Sequence, residues 1–187
     1  MYKQIYGKIK LILVSPEKFW IQLSEKDRES HVNITTNFVY PLLGLIAISS
    51  FIGSWWNNEV FDLQRALQIV CVNFVAGFAG FFVASFLVDE FSAGFLTLEK
   101  NIIRARNFVG YSSVVLYVIV IFWNIVPNYF FIFLFLFYTV YIVWEGSEKY
   151  MQIENKDRLK FTIVSSLLIV GAPFIIEKIL LFFLPGI

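Results

Sequence analysis

Residues 66–88 read ALQIVCVNFVAGFAGFFVASFLV, twenty-three consecutive positions without a charged side chain. At ~1.5 Å per helical residue such a run exceeds the ~30 Å of a bilayer's hydrocarbon core, and the period-two alternation of a barrel strand is missing from it. Within the run Ala76, Gly80 and Ala84 recur every four residues with Gly77 alongside, a small-residue stripe that another helix can approach closely. Such a stripe packs inside a bundle more often than between subunits, and assembly of several copies stays open.

Four more apolar runs surround it: Phe38–Trp56, Phe108–Val126, Tyr129–Trp144 and Phe161–Leu184. Pro127 and Asn128 make a tight turn between two of them, and Gly171, Ala172 and Pro173 predict a kink in the last. The expected architecture is an all-α integral membrane protein, with residues 1–37 as an interfacial segment and linker and residues 38–187 as a domain of five transmembrane helices. Composition agrees: the 187 residues are 58% hydrophobic and 16% charged, with mean hydropathy +0.71, against roughly 45–50% apolar and 25% charged in soluble chains. An ordinary soluble enzyme is excluded. A net charge of +1 provides no basic field, so no nucleic-acid partner is expected.

Cations set the orientation, because short cytoplasmic segments retain Lys and Arg. Thirteen of the fifteen fall in the amino-terminal segment and in the loops on its side, the exceptions being Arg65 and Lys178. The amino terminus is therefore expected inside and the carboxyl terminus outside. Trp55, Trp56, Trp123 and Trp144 stand at span ends, where amphipathic rings favour the interface.

The first residues lack the apolar core and cleavage site of a signal peptide. Ile5, Ile9, Ile12 and Leu13 share a helical face while Lys3, Lys8 and Lys10 can stay wet, which predicts a helix lying in the head-group region. Ser15 as cap and Pro16 at the first helical position open a second short helix over Pro16–Leu23, expected to present Phe19 and Trp20 to the membrane surface. Glu25–Asn37 reads as a polar linker.

Ionisable groups in or beside a span are costly and are functional suspects by default. Asp89 and Glu90 close the second run at the level where Arg104 and Arg106 precede the third, so ion pairs at the inner mouth, Asp89–Arg104 among them, or water-facing groups there are expected. Glu177 and Lys178 lie in the last span, the lysine roughly 9 Å from its end at ~1.5 Å per residue and within snorkelling reach. Neither GxSxG, HExxH nor a P-loop occurs, and one histidine, His31, with one cysteine, Cys71, cannot form a structural zinc site. No catalytic, cofactor-binding or metal-binding residue is expected, and Cys71 reads as a small packing residue.

The whole chain resembles the Yip family of five-span membrane proteins, named for interaction with Ypt/Rab GTPases, and in particular its bacterial branch. Ser15-Pro16 followed by Phe19-Trp20 is similar to that branch's pre-membrane segment, and Tyr40-Pro41 to its first-span entrance. Glu99-Lys100-Asn101-Ile102-Ile103-Arg104 leading to Gly110-Tyr111-Ser112 resembles its inner loop and third-span opening, and Met151 and Phe161-Thr162 its last loop and span. Two features depart from the pattern. Val114, Val115 and Leu116 stand where the family carries a proline after the Tyr-Ser pair, so a straighter third span is expected, and the Asp-Leu-Tyr-Gly-Pro motif of eukaryotic members is absent. The resemblance implies a five-span fold in a bacterial cytoplasmic (inner) membrane. It adds Lys100, Asn101, Tyr111 and Ser112 to the polar residues of interest.

The functional expectation is a non-enzymatic protein that binds a membrane or cytoplasmic protein partner, or organises the bilayer, through its amino-terminal helices and inner loops. The alternative is a small transporter or permeation subunit that uses the acidic residues of the inner face.

Overall fold

The computed structural model describes residues 2–29, 34–57, 61–96 and 98–184, so that His31, Asn58, Glu59 and the last three residues lie outside it. The helices are α1 (Tyr2–Val14), α2 (Pro16–Glu29), α3 (Tyr40–Trp56), α4 (Leu63–Leu96), α5 (Ile102–Ser112), α6 (Val114–Ile125), α7 (Phe137–Lys149) and α8 (Asn155–Phe183). A π-helical turn, Thr35–Val39, leads into α3, and a 3-10 segment, Phe130–Leu136, leads into α7. No strand occurs among the described residues. By length and composition Thr35–Trp56, α4, Phe130–Lys149 and α8 can each cross a membrane, and the bent pair α5–α6 counts as a fifth where its two helices form one span rather than a re-entrant loop.

α4 lies at the centre, packed against α3, α5 and α8. Its small residues determine how closely. A Cβ on Gly80 would stand 2.6 Å from the Cα of Pro173 and 2.5 Å from its Cγ, so α8 lies directly on the α4 backbone. Gly77 turns to α3 instead, where a Cβ would meet Leu43 Cδ2 at 2.6 Å. The stripe thus serves two neighbours. α3 and α6 also touch backbone to backbone, since a Cβ on Gly53 would fall 1.8 Å from the carbonyl oxygen of Asn124. Around that contact Asn73 Nδ2 donates to Ser50 Oγ (2.8 Å) and Asn124 Oδ1 (3.2 Å). Asn124 Nδ2 donates to Ser49 and Ser50, at 3.1 and 2.9 Å. Inside a membrane such bonds contribute about 0.6–2 kcal/mol each.

Several boundaries differ from the sequence reading. α4 does not stop at Val88 but continues to Leu96, because Phe91 packs on Phe161 of α8 (6.5 Å between centroids), which places Asp89 and Glu90 within the helix. The fourth crossing reaches Lys149 and starts as a 3-10 segment, and the fifth begins at Asn155. The expected linker is shorter, since α2 runs to Glu29 and the π turn begins at Thr35. α8 is one helix through Pro173.

The third crossing, expected to be straighter, is bent by 43° between Ser112 and Val114. No proline is needed: Ser113 Oγ donates to the Val109 carbonyl at 2.8 Å, in competition with the main-chain bond to the same oxygen, and such back-bonding bends helices. Cys71 faces outward rather than packing.

The α4–α8 contact makes a prediction for thermal unfolding in a fixed detergent. Gly80→Ala loses about 1–3 kcal/mol by overpacking and lowers Tm. Gly171→Ala, whose Cβ meets nothing within 4 Å, leaves Tm unchanged or raises it. A Gly80→Ala protein with unaltered Tm rejects the close approach.

Candidate functional site at the amino-terminal face

α2 packs along α7, and α1 packs on α2 and against α6, beside the end of the bundle shared by the π turn, the α4–α5 loop and the α7–α8 turn. We call this end the near face. Proline opens α2 without wasting a helical donor, and one turn later Phe19 and Trp20 point together into the bundle. Trp20 is fully buried and Phe19 is 5% exposed. The expectation that these rings meet the membrane surface is therefore corrected: they anchor the amino-terminal helices to the protein itself.

The reason is a socket of aromatic rings that also satisfies the indole. Trp20 packs on Phe108 (5.5 Å) and Tyr150 (5.4 Å), and Nε1 donates to the Ile142 carbonyl of α7 at 3.0 Å. Gly146 leaves the room, since a Cβ there would fall 2.6 Å from Trp20 Cε2. Phe19 meets Tyr111 edge-on at 4.8 Å, and Phe38 meets it from the other side at the same distance. α1 is fixed by two polar contacts: Lys8 Nζ donates to Tyr111 Oη at 2.9 Å, and Tyr138 Oη to the Leu13 carbonyl at 2.8 Å. Its apolar face is likewise turned inward, with Ile5 and Ile12 buried. Tyr111 is thus the hub joining α1, α2, the π turn before α3, and α5. Ser112 beside it is buried, and its hydroxyl has no hydrogen-bond partner.

Beside this socket the α4–α5 loop encloses a pocket of about 240 Å³, lined by Asp89, Glu99, Lys100, Asn101, Arg104 and Met151 among others. Residues far apart in sequence converge there for identifiable reasons. Asn101 caps α5, its Oδ1 accepting from the Arg104 amide at 3.0 Å, and its own amide donates to Asp89 Oδ1 at 2.9 Å. Lys100 Nζ pairs with Glu90 Oε1 at 2.5 Å. That hydrogen bond outweighs the opposing desolvation and, with the charges of Glu90 and Asp89, raises the Lys100 pKa above its ordinary value. Arg104 does not pair with Asp89 as expected. Its guanidinium donates to the Tyr150 carbonyl and lies over the Tyr150 ring at 5.6 Å, because the turn after α7 places an acceptor nearer than the carboxylate, which the loop amide already occupies.

Glu177 and Lys178 are remote from this face, on α8 toward the other end of the bundle, 3.8 Å apart at their charged atoms. Sequence reading missed Arg158. It is 9% exposed, stacks on the Trp144 ring at 4.1 Å, donates to the Trp144 carbonyl (3.0 Å from Nη2) and pairs with Glu148. Among many loop cations nothing distinguished it except its place fourteen residues after an interfacial tryptophan. Arg106, expected beside Arg104 opposite the Asp89 and Glu90 carboxylates, turns elsewhere. Its Nε is buried without a hydrogen-bond partner, and the guanidinium lies over Phe82 at 5.3 Å. No group of three or more His, Cys, Asp or Glu among the described residues could hold a metal.

Four or five apolar crossings and a near face that carries docked helices define a multi-pass helical membrane protein. A family model, the Yip1 domain, matches residues 10–176 and so takes in the Trp20 socket, the loop pocket and most of α8; the chain belongs to the Yip1 domain family. No curated protein and no solved structure matches it.

If Trp20 anchors the amino-terminal helices, its variants grade accordingly. Trp20→Phe retains ring packing and loses one hydrogen bond, about 0.5–1.5 kcal/mol, whereas Trp20→Ala loses about 3–5 kcal/mol. In hydrogen exchange the amides of α1 and α2 lose protection in Trp20→Ala while those of α4 and α8 keep theirs; equal protection of α1 and α2 in both proteins would refute the anchor.

Proposed function

We propose that this Yip1-domain membrane protein is non-enzymatic and recruits a protein partner from the cytoplasm on the composite surface made by α1, α2 and the α4–α5 and α7–α8 loops. The observation that carries the reading is the burial of Trp20, which makes two amino-terminal helices a fixed part of the bundle's near face. A docked helix presents its remaining side chains in a constant arrangement, which lowers the ordering cost of binding. Exposed Lys10, Glu17, Lys18, Glu99, Lys100 and Lys156 populate that surface. On the far side the described loop residues supply Asp62, whose carboxylate caps α4 at the Arg65 amide, and Arg65 itself. This asymmetry supports a cytoplasmic near face.

The transporter alternative gains no support from the near-face carboxylates, since Asp89 is engaged by a loop amide and Glu90 by Lys100.

Two measurements test the proposal in native membranes. With Cys71 replaced by serine, a membrane-impermeant maleimide labels Asp62→Cys in intact cells and reaches Lys18→Cys only after permeabilisation; the opposite pattern inverts the topology. A photocrosslinking residue at Lys18 or Lys100 then gives a discrete protein adduct that is lost in Trp20→Ala and absent when the probe replaces Arg65. Adducts of equal yield from both faces would exclude recruitment on the near face.

A further inference from the structure

A second pocket, of about 170 Å³, lies between α3, α4, α6, α8 and the 3-10 segment. α3 contributes Ile46, α6 Leu116 and Val120, the 3-10 segment Phe133 and Leu136, and α8 Val170, Pro173 and Phe174. Polar groups enter this apolar lining at three positions, Asn73, Tyr117 and Glu177. The crossing of α4 and α8 at Gly80 and Pro173 places two of them together. Asn73 is seven residues and Glu177 four residues from that crossing in the same direction, toward the membrane surface.

Glu177 is the anomaly. It stands six residues before the end of α8, about 9 Å below that end at ~1.5 Å per residue. A carboxylate at such depth is expensive in the absence of a partner. The adjacent Lys178 forms only a long ion pair with it, at 3.8 Å: the lysine side chain is 57% and the glutamate side chain 35% exposed, and the ammonium also lies over the Phe174 ring at 5.2 Å. Successive helical residues diverge by ~100°, so the lysine faces the surroundings of the bundle while the glutamate lines the pocket.

The mouth of the pocket is on the flank that faces lipid, because Phe133 (38% exposed) and Phe174 (57% exposed) belong both to its lining and to the outer surface. A ligand that enters there comes from the bilayer. Charge complementarity at Glu177 requires it to carry a cation with N–H donors, and the apolar walls require a hydrocarbon portion.

We propose that this pocket binds a phospholipid with a primary-amine head group, the ammonium donating to Glu177 and an acyl chain lying against Leu116, Val170 and Pro173. It is independent of the near face and of any partner bound there. Lys178 stays outside as a snorkelling cation.

The test uses the full-length protein in nanodiscs containing a phosphatidylethanolamine with a photoreactive acyl chain, or the phosphatidylglycerol with the same chain. The ethanolamine lipid labels α6 and α8 pocket residues with about a tenfold preference, the size of one charge-assisted hydrogen bond. Glu177→Gln abolishes the preference and Lys178→Gln keeps it. Val170→Phe, which fills the pocket and retains the carboxylate, abolishes labelling at Leu116. Equal labelling by the two lipids in the unaltered protein, a preference that survives Glu177→Gln, or unchanged labelling of Leu116 in Val170→Phe would each overturn the proposal. Should Glu177→Gln fail to fold, the two-lipid comparison and Val170→Phe decide alone.

Discussion

Pro173 lies on Gly80, and the rest of the bundle is arranged around that contact. In lipid no hydrophobic force draws apolar helices together, so association depends on close van der Waals approach and on polar groups that find each other. Gly80 permits the approach, and the proline ring fills the groove that a Cβ would occupy. With α8 fixed on one side of α4, Gly77 seats α3 on another, and α3 in turn meets α6 at Gly53. Three glycines therefore set three helix separations, while the Ser49–Ser50–Asn73–Asn124 network fixes rotation and register among α3, α4 and α6.

The near face is held by a different kind of contact. There aromatic burial does the joining: Trp20, Phe19, Phe38, Phe108, Tyr111 and Tyr150 form one cluster that ties the amino-terminal helices to the crossings. Tyr111 mediates because it has both an apolar body and a hydroxyl, the first for Phe19 and Phe38 and the second for Lys8. The bend at Ser113 follows from the same arrangement. α5 leans toward the socket while α6 continues up the bundle, and the Ser113 hydroxyl accommodates the change of direction at the Val109 carbonyl.

Apolar runs alone made the crossings and the turn at Pro127-Asn128 legible, because in a bilayer a continuous run of that length has few other structures open to it. They did not reveal where Phe19 and Trp20 go. An amphipathic helix with two aromatic rings has the same pattern whether its apolar face meets lipid or protein, and the receptor for those rings is made by Gly146 and Tyr150, more than 120 residues away. The bend was hidden for a related reason, since a serine bends a helix only when its hydroxyl is turned to the preceding carbonyl. In the loop pocket, residue types were legible and pairings were not: Asp89 and Arg104 were visible as complementary charges, but a backbone amide and a backbone carbonyl, which any sequence supplies, took them instead.

The 3-10 segment shows what such hidden geometry can accomplish. Tyr129–Trp144, read as an α-helix of sixteen residues, reaches only ~24 Å and falls short of a ~30 Å core. The crossing instead extends to Lys149, and because a 3-10 helix rises ~2.0 Å per residue, the seven residues Phe130–Leu136 cover ~14 Å, ~3.5 Å more than as α-helix, with the α-helical residues to Lys149 another ~20 Å. Three residues per turn also stack Phe130, Phe133 and Leu136 in one row, narrower than the staggered face of an α-helix. Two members of that row, Phe133 and Leu136, line the pocket that contains Glu177. The conformation that lengthens this crossing thus also supplies one wall of the cavity.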